Sequence, residues 1–219
     1  MMFVLDTSAF TDPRLREVFG IDTLEEVIEK LIEQMSWMRM CLGYEFFIPK
    51  DTFRELERFL TRNGVRTDTV LALQEVLVVK APNRRAVCIP GDVFHRYMTL
   101  LTQRLFKALR LAEFSVREVA TKVKISLVGD PVPSTVNVLR SKFRQQVRHG
   151  IIDTPEDLDV VLLAAELKAP VVTNDEGIAE FASDMGLQTL DPVVFARMLM
   201  RYGAQAEKTL QKCGVSGKV

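Results

Sequence analysis

Two short apolar runs in this chain each stop at an acidic residue: Phe3-Val4-Leu5-Asp6 near the start, and Ala169 to Thr173 followed by Asn174-Asp175. Runs this short and apolar throughout, without alternation, read as strands buried on both faces, as in a parallel sheet covered by helices. Ligands of such sheets bind beyond the carboxyl ends of the strands. A carboxylate at that point is costly to bury unless it is paired or bound to a metal. For Asp6 the alternative is a turn cap through Ser8.

Strands and helices alternate along the rest of the chain. Apolar residues recur at helical spacing from Leu24 to Met40 (Leu24, Val27, Ile28, Leu31, Ile32, Met35), with acids early in the segment. Tyr44 to Pro49 reads as a second strand. Asp51 is expected to cap the next helix, whose buried face would be Phe53, Leu56, Phe59 and Leu60. Leu77-Val78-Val79 is a third strand, closed by Ala81-Pro82-Asn83, and Asp12-Pro13 marks a turn. After His149-Gly150, Asp153 is expected to open a helix to about Lys168, with Pro155 in its first turn and Glu156 completing a capping box. A helix from Glu176 to Met185, a short strand from Leu187 to Leu190 and a last helix from Asp191-Pro192 to about Tyr202 follow. Strands alternating with helices imply an α/β fold with a parallel sheet flanked by helices.

The formal net charge of zero hides an asymmetry. Between Arg84 and His149 there are 13 Lys and Arg against 4 Asp and Glu, which leaves 16 basic against 25 acidic residues elsewhere. A basic block in an acidic body is the footprint of a polyanion-binding arm; a solvated helix pair with chance bias is the bland alternative. From Asp92 to about Val123 the pattern is helical, with Val93, Phe94, Met98, Leu101, Leu105 and Leu109 on one stripe and Arg96, Arg104, Lys107 and Arg110 around it. Gly129-Asp130-Pro131-Val132-Pro133 breaks it. Ser134 to Arg148 is a second helix carrying Arg140, Lys142, Arg144 and Arg148. Two helices joined by a Gly/Pro turn make a helical hairpin, which is expected to protrude. The chain then divides into a discontinuous body (residues 1–90 and 150–202), an inserted basic hairpin (91–149) and a C-terminal tail (203–219), expected to fray.

Several classes are excluded. At 47% hydrophobic and 26% charged over 219 residues, the chain buries one good core. No apolar run approaches the roughly 20 residues of a membrane span. The N-terminus meets an acid at once and has no basic region, so it is not a signal peptide. Three cysteines, Cys41, Cys88 and Cys213, fit neither a disulfide framework nor a zinc site and suit a reducing cytoplasm. Two histidines, His95 and His149, are too few for a His-based zinc site.

Four acids stand at strand ends or helix starts: Asp6, Asp153, Asp157 and Asp175. Carboxylates gathered on one sheet edge repel one another unless a cation lies between them. Hard divalent ions with oxygen ligands answer that need, Mg²⁺ most commonly, with Mn²⁺ as a substitute. Asp153 and Asp157, four apart, would project from one side of a helix; a pure N-cap is the alternative for Asp153, and the cap and ligand roles are compatible. Asp159 lies about 200° around the helix from Asp157 and should face elsewhere. Glu55 is either an outer ligand or a surface residue. Thr7, Ser8, Thr173 and Asn174 flank the strand-end acids and could orient them. With no well-placed His or Lys base and no candidate nucleophile, metal-assisted hydrolysis of a phosphodiester is the matching chemistry. No Walker loop appears.

Val-Leu-Asp-Thr-Ser at the start, Asp157 before an apolar helix, and Val-Val-Thr-Asn-Asp175 together resemble a PIN domain, a nuclease fold with clustered acids. The N-terminal Phe-Val-Leu-Asp-Thr-Ser-Ala-Phe-Thr-Asp-Pro, the basic hairpin inserted before the third acid, and the segment from Arg144 to Asp159 narrow it. These features resemble the homologs of Aquifex RNase P, minimal protein-only enzymes sometimes labelled RNA ligase partner proteins. The resemblance covers the chain to about residue 200. It implies Mg²⁺-dependent removal of the 5′ leader from precursor tRNA, leaving a 5′-phosphate, with the active-site acids on Asp6, Asp153, Asp157 and Asp175. It also implies self-association through the hairpin into dimers and a larger homo-oligomer, and tRNA contact through Arg and Lys of the basic block. A toxin-type PIN ribonuclease and a non-catalytic RNA-binding module are the competing readings.

Overall fold

The computed structural model describes residues 1–124, 132–148, 150–152 and 154–212, without the side chains of Lys124, Gln146, Arg148 and 204–212. Five strands, β1 (Met2–Leu5), β2 (Glu45–Ile48), β3 (Leu77–Val79), β4 (Val171–Val172) and β5 (Thr189–Leu190), pair in parallel in the order β3-β2-β1-β4-β5. The chain builds outward from β1 to β3, then returns to the other side of β1 with β4. That reversal makes the gap beyond the ends of β1 and β4 the topological switch point, where such sheets open a crevice. In register, Val4 faces Val171 and Leu5 faces Val172, so Asp6 and Thr173 leave their strands side by side.

The helices before β4 are α1 (Ser8–Thr11), α2 (Arg14–Phe19), α3 (Leu24–Leu42), α4 (Lys50–Arg62), α5 (Thr67–Val76), α6 (Gly91–Lys124) and α7 (Val132–Phe143). Arg144–Arg148 adds one π-helical turn; α8 (Pro155–Leu167), α9 (Glu176–Asp184) and α10 (Pro192–Lys212) complete the set. By contact density the chain forms two compact units, Met1–Cys88 with Thr154–Val219, and Ile89–Asp153.

In the first unit one core gathers Phe3, Leu5, Phe46 and Ile48 from the strands with side chains of α3, α5 and α10. Phe3 stacks on Phe46 at 6.0 Å and meets the tilted ring of Phe195 at 5.4 Å. α8 carries five consecutive buried residues, Val160 to Ala164. A helix that is apolar nearly all round has to be covered on every side, and α8 packs on β1, β4, α4 and α9.

The structure changes several expectations at helix ends. Pro49, not Asp51, is the N-cap of α4; Asp51 lies inside the first turn and pairs with Arg54 at 2.9 Å. Phe59 is 40% exposed, because the buried stripe runs through Phe53, Leu56 and Leu60 and Phe59 falls about 100° off it. α8 is capped by Thr154, whose Oγ1 accepts from the Asp157 amide at 3.2 Å. Thr154 precedes a proline, which forces it into the extended conformation that an N-cap needs. The helix therefore begins at Pro155, and Asp153, which lies outside the described residues, precedes it. The last helix passes through Gly203 to Lys212 instead of stopping near Tyr202. A Cβ at Gly203 would stand 2.1 Å from Gln34 Oε1 of α3, so this glycine permits close helix approach and is not a stop. α1, α2 and α5 had no counterpart in the sequence reading.

In the second unit α6 packs along α7, and Lys142 Nζ sits 5.2 Å over the Phe114 ring. The Gly/Pro break at 129–131 falls outside the described residues. Of the expected α6 stripe, Val93 is buried and Leu101 half-buried, while Phe94, Met98, Leu105 and Leu109 are exposed.

Candidate active site at the carboxyl edge of the sheet

Asp6 follows β1 directly and is only 5% exposed. Its Oδ2 accepts from Ser8 Oγ at 2.7 Å, Thr173 Oγ1 at 3.0 Å and the Ser8 amide at 3.3 Å; its Oδ1 accepts one 3.3 Å bond from Thr7 Oγ1. Each hydroxyl that donates to Oδ2 in turn accepts from a backbone amide of the loop after β4. Asn174 N–H bonds Ser8 Oγ at 3.0 Å, and Asp175 N–H bonds Thr173 Oγ1 at 3.0 Å. The two strand ends are thus stitched together through Asp6, and Ser8, Thr173 and Asn174 orient it as their positions in the sequence led us to expect.

Every donor to Asp6 among the described residues is neutral. Among the described residues no Lys, Arg or His nitrogen lies within ion-pair distance of it, and Oδ1 keeps acceptor capacity to spare. A buried carboxylate so arranged has room for an exogenous cation, and its hard oxygen suits a hard divalent ion.

Asp175 is exposed and caps α9, its Oδ1 accepting from the Ile178 amide at 2.9 Å. Asp157 is half-buried in the first turn of α8, the helix that lies against β1 and β4. The structure therefore joins Asp6 and Asp175 through Thr173 and sets Asp157 at the start of the neighbouring helix. Among the described residues these acids do not form a ready-made cluster of three, and Asp153 lies outside them. Glu55 is exposed on α4. Asp159 faces away, buried and bound bidentately by Arg84 at 2.9 and 2.7 Å.

A third buried acid escaped the sequence reading. Asp12, 4% exposed, accepts from Arg14 Nε at 3.0 Å on both oxygens, from the Arg14 amide at 2.9 Å and from Asn174 Nδ2 at 2.9 Å. The hydrogen-bonded Arg14 guanidinium holds the Asp12 carboxyl below its usual 3.8 against the opposing effect of burial. Asp-Pro-Arg in sequence signals only a turn; the Asn174 bond depends on a partner 162 residues away.

Of the basic residues expected to meet RNA, Lys107, Arg110, Arg140 and Arg144 are exposed, Arg104 and Lys142 half-buried, and the side chain of Arg148 lies outside the described set.

A family model described as PINc domain ribonuclease matches residues 2–203, and the chain belongs to that family of nucleases. Its sequence is similar over about nine tenths of its length to proteins named RNA-free ribonuclease P. The one from Ignicoccus hospitalis is 36% identical over 91% of this chain and 95% of its own length. That from Hyperthermus butylicus is 34% identical over 90% and 87%, and that from Methanococcus maripaludis strain S2 36% over 91% and 95%. By this measure the chain is a member of the RNA-free ribonuclease P group of PIN ribonucleases.

Proposed function

We propose that this protein hydrolyses precursor tRNA at the junction of leader and mature tRNA, with Asp6, Asp153, Asp157 and Asp175 holding the catalytic Mg²⁺, for which Mn²⁺ substitutes. The observation that carries the site is Asp6: a buried carboxylate at the switch point, whose donors among the described residues are all neutral. Bound Mg²⁺ would supply an acidified water and charge neutralisation at the phosphate. Asp6 presents Oδ1, since Oδ2 is fully used by Ser8 and Thr173. Asp175 comes from the loop that Thr173 ties to Asp6, and Asp157 from the start of α8. The water oxygen forms the new bond to phosphorus and the leader's 3′ oxygen leaves, so the tRNA keeps a 5′-phosphate.

The basic helical unit supports a polyanionic substrate. Arg104, Lys107 and Arg110 follow one another at i, i+3 spacing on α6, with Arg140, Lys142, Arg144 and Arg148 on the helical segment that follows. Such residues grip folded RNA through phosphates and shape. The exposed Phe94, Met98, Leu105 and Leu109 on the same helix support self-association through this unit into dimers and a larger homo-oligomer. Exposed thiols at Cys41 and Cys88 suit a cytoplasmic protein, and no helix among the described residues is long and apolar enough to cross a membrane.

Incubation of 5′-labelled precursor tRNA with Mg²⁺ tests the reading. A single cut at the leader junction, lost in Asp6→Ala, is expected. Cuts elsewhere would indicate a toxin-like ribonuclease, and bound but intact RNA a non-catalytic module.

A further inference from the structure

Asp12, Asn174 and Arg14 form a chain of contacts that leads into the site from behind. Arg14 Nη2 bridges Asp12 to Asp191 Oδ2 at 2.7 Å, and Asp191 Oδ1 accepts from the Val193 amide in the first turn of α10. From Asp12 the chain runs to the Asn174 side chain, from the Asn174 amide to Ser8 Oγ, and from Ser8 Oγ to Asp6. Asn174 is exposed and its amide would be well hydrated in water. Instead it is committed to a buried carboxylate from the far end of the chain.

We infer that Asn174 and Asp12 are a positioning pair: Asp12 anchors the loop after β4, so that the Asn174 and Asp175 amides keep the Ser8 and Thr173 hydroxyls turned toward Asp6. Both would act on the site through Ser8 and Thr173, not as metal ligands. The inference rests on the metal-site reading above, and concerns what aligns that site. The ion pair and the tether have separable consequences. Arg14 stabilises a buried acid, which is a matter of folding. The Asn174 bond fixes a loop, which is a matter of cation affinity. Both use Asp12 Oδ2, so an asparagine at position 12 can still accept from Asn174 while losing its charge.

The test is calorimetric Mn²⁺ binding to the RNA-free full-length protein, beside its Tm in EDTA. Asn174→Ala is expected to bind Mn²⁺ about tenfold more weakly, the low end of what loss of a metal ligand's outer partner costs, with Tm near that of the wild type. Asp12→Asn is expected to show the reverse: a lowered Tm and Mn²⁺ affinity within about threefold of wild type. Unchanged affinity in Asn174→Ala, while the wild type binds and Asp6→Ala does not, overturns the inference alone. So does equal loss of affinity in both variants, because general destabilisation would then account for it. A wild type whose Mn²⁺ binding is indifferent to Asp6→Ala overturns the metal site and the inference with it.

Discussion

Asp6 and Asp12 stand six residues apart, are equally buried, and are treated in opposite ways. Asp12 has its own guanidinium and a depressed pKa. Asp6 has three hydroxyls, one amide and no cation from the described chain. Burying a charge without a partner costs several kcal/mol even after relaxation, so the two sites teach different things. A carboxylate that the fold pairs with its own cation belongs to the fold; one that the fold orients without a cation is the candidate for the reaction. The same contrast separates the two units. The sheet unit gathers Phe3, Phe10, Phe46 and Phe195 into a buried core, although Leu71 and Phe59 stay exposed, whereas the helical unit leaves Phe94, Leu105, Phe106 and Leu109 of one helix in solvent.

The sharpest break of this comparison is at Asp6. Asp6→Ala is expected to slow precursor cleavage by more than the roughly 100-fold that loss of an outer-shell partner costs, measured under single turnover. A loss below tenfold would show that Asp6 is another structural acid.

A smaller effect distinguishes the apolar surfaces. Leu56→Ala in the core is expected to cost about 2–5 kcal/mol, whereas Leu105→Ala should stay within about 0.5 kcal/mol in dilute monomer. Denaturant midpoints check both. A large loss at Leu105 that grows with protein concentration would place that side chain in a buried subunit interface.

The two acids should also part in stability without metal. Asp12→Ala is expected to cost about 1–3 kcal/mol, because Asn174 and Arg14 lose an acceptor. Asp6→Asn should leave Tm in EDTA unchanged or raised, since it removes an uncompensated charge. The pH dependence has a definite sign. The folded-state pKa of Asp12 is lowered, so its stabilisation is complete well above the unfolded value of 3.8 and is lost as pH falls through the folded pKa. The difference between wild type and Asp12→Ala should therefore be constant above about pH 5 and shrink below about pH 4. A difference that persists at low pH would mean that packing, not charge, carries it.

The smallest expected effect is at the basic unit. Lys107→Ala should weaken precursor binding modestly and reduce the slope of log affinity against log salt by about 1. An unchanged slope would remove Lys107 from the phosphate contacts.

The sequence by itself determined much of this protein. Apolar runs without alternation specified β1 and β4, because only a strand buried on both faces has no polar side. The acids that end those runs marked the candidate site, because a parallel sheet opens at its carboxyl edge. Helical period and charge bias marked α6 and the basic unit. What tertiary structure alone decided concerns pairing over distance. Local spacing misplaced the α8 start by one residue, because Pro155 dictated the conformation of Thr154. It marked Phe59 as buried, although the α4 stripe bypasses it, and it took Gly203 for an end when Gln34 of α3 needed the space. It also read Asp12-Pro13 as a turn, since nothing near Asp12 announces Asn174 or Asp191. Periodicity records which side of an element is apolar. Which polar group meets which is fixed only when β4 closes against β1 and brings residues some 160 positions apart into hydrogen-bond contact.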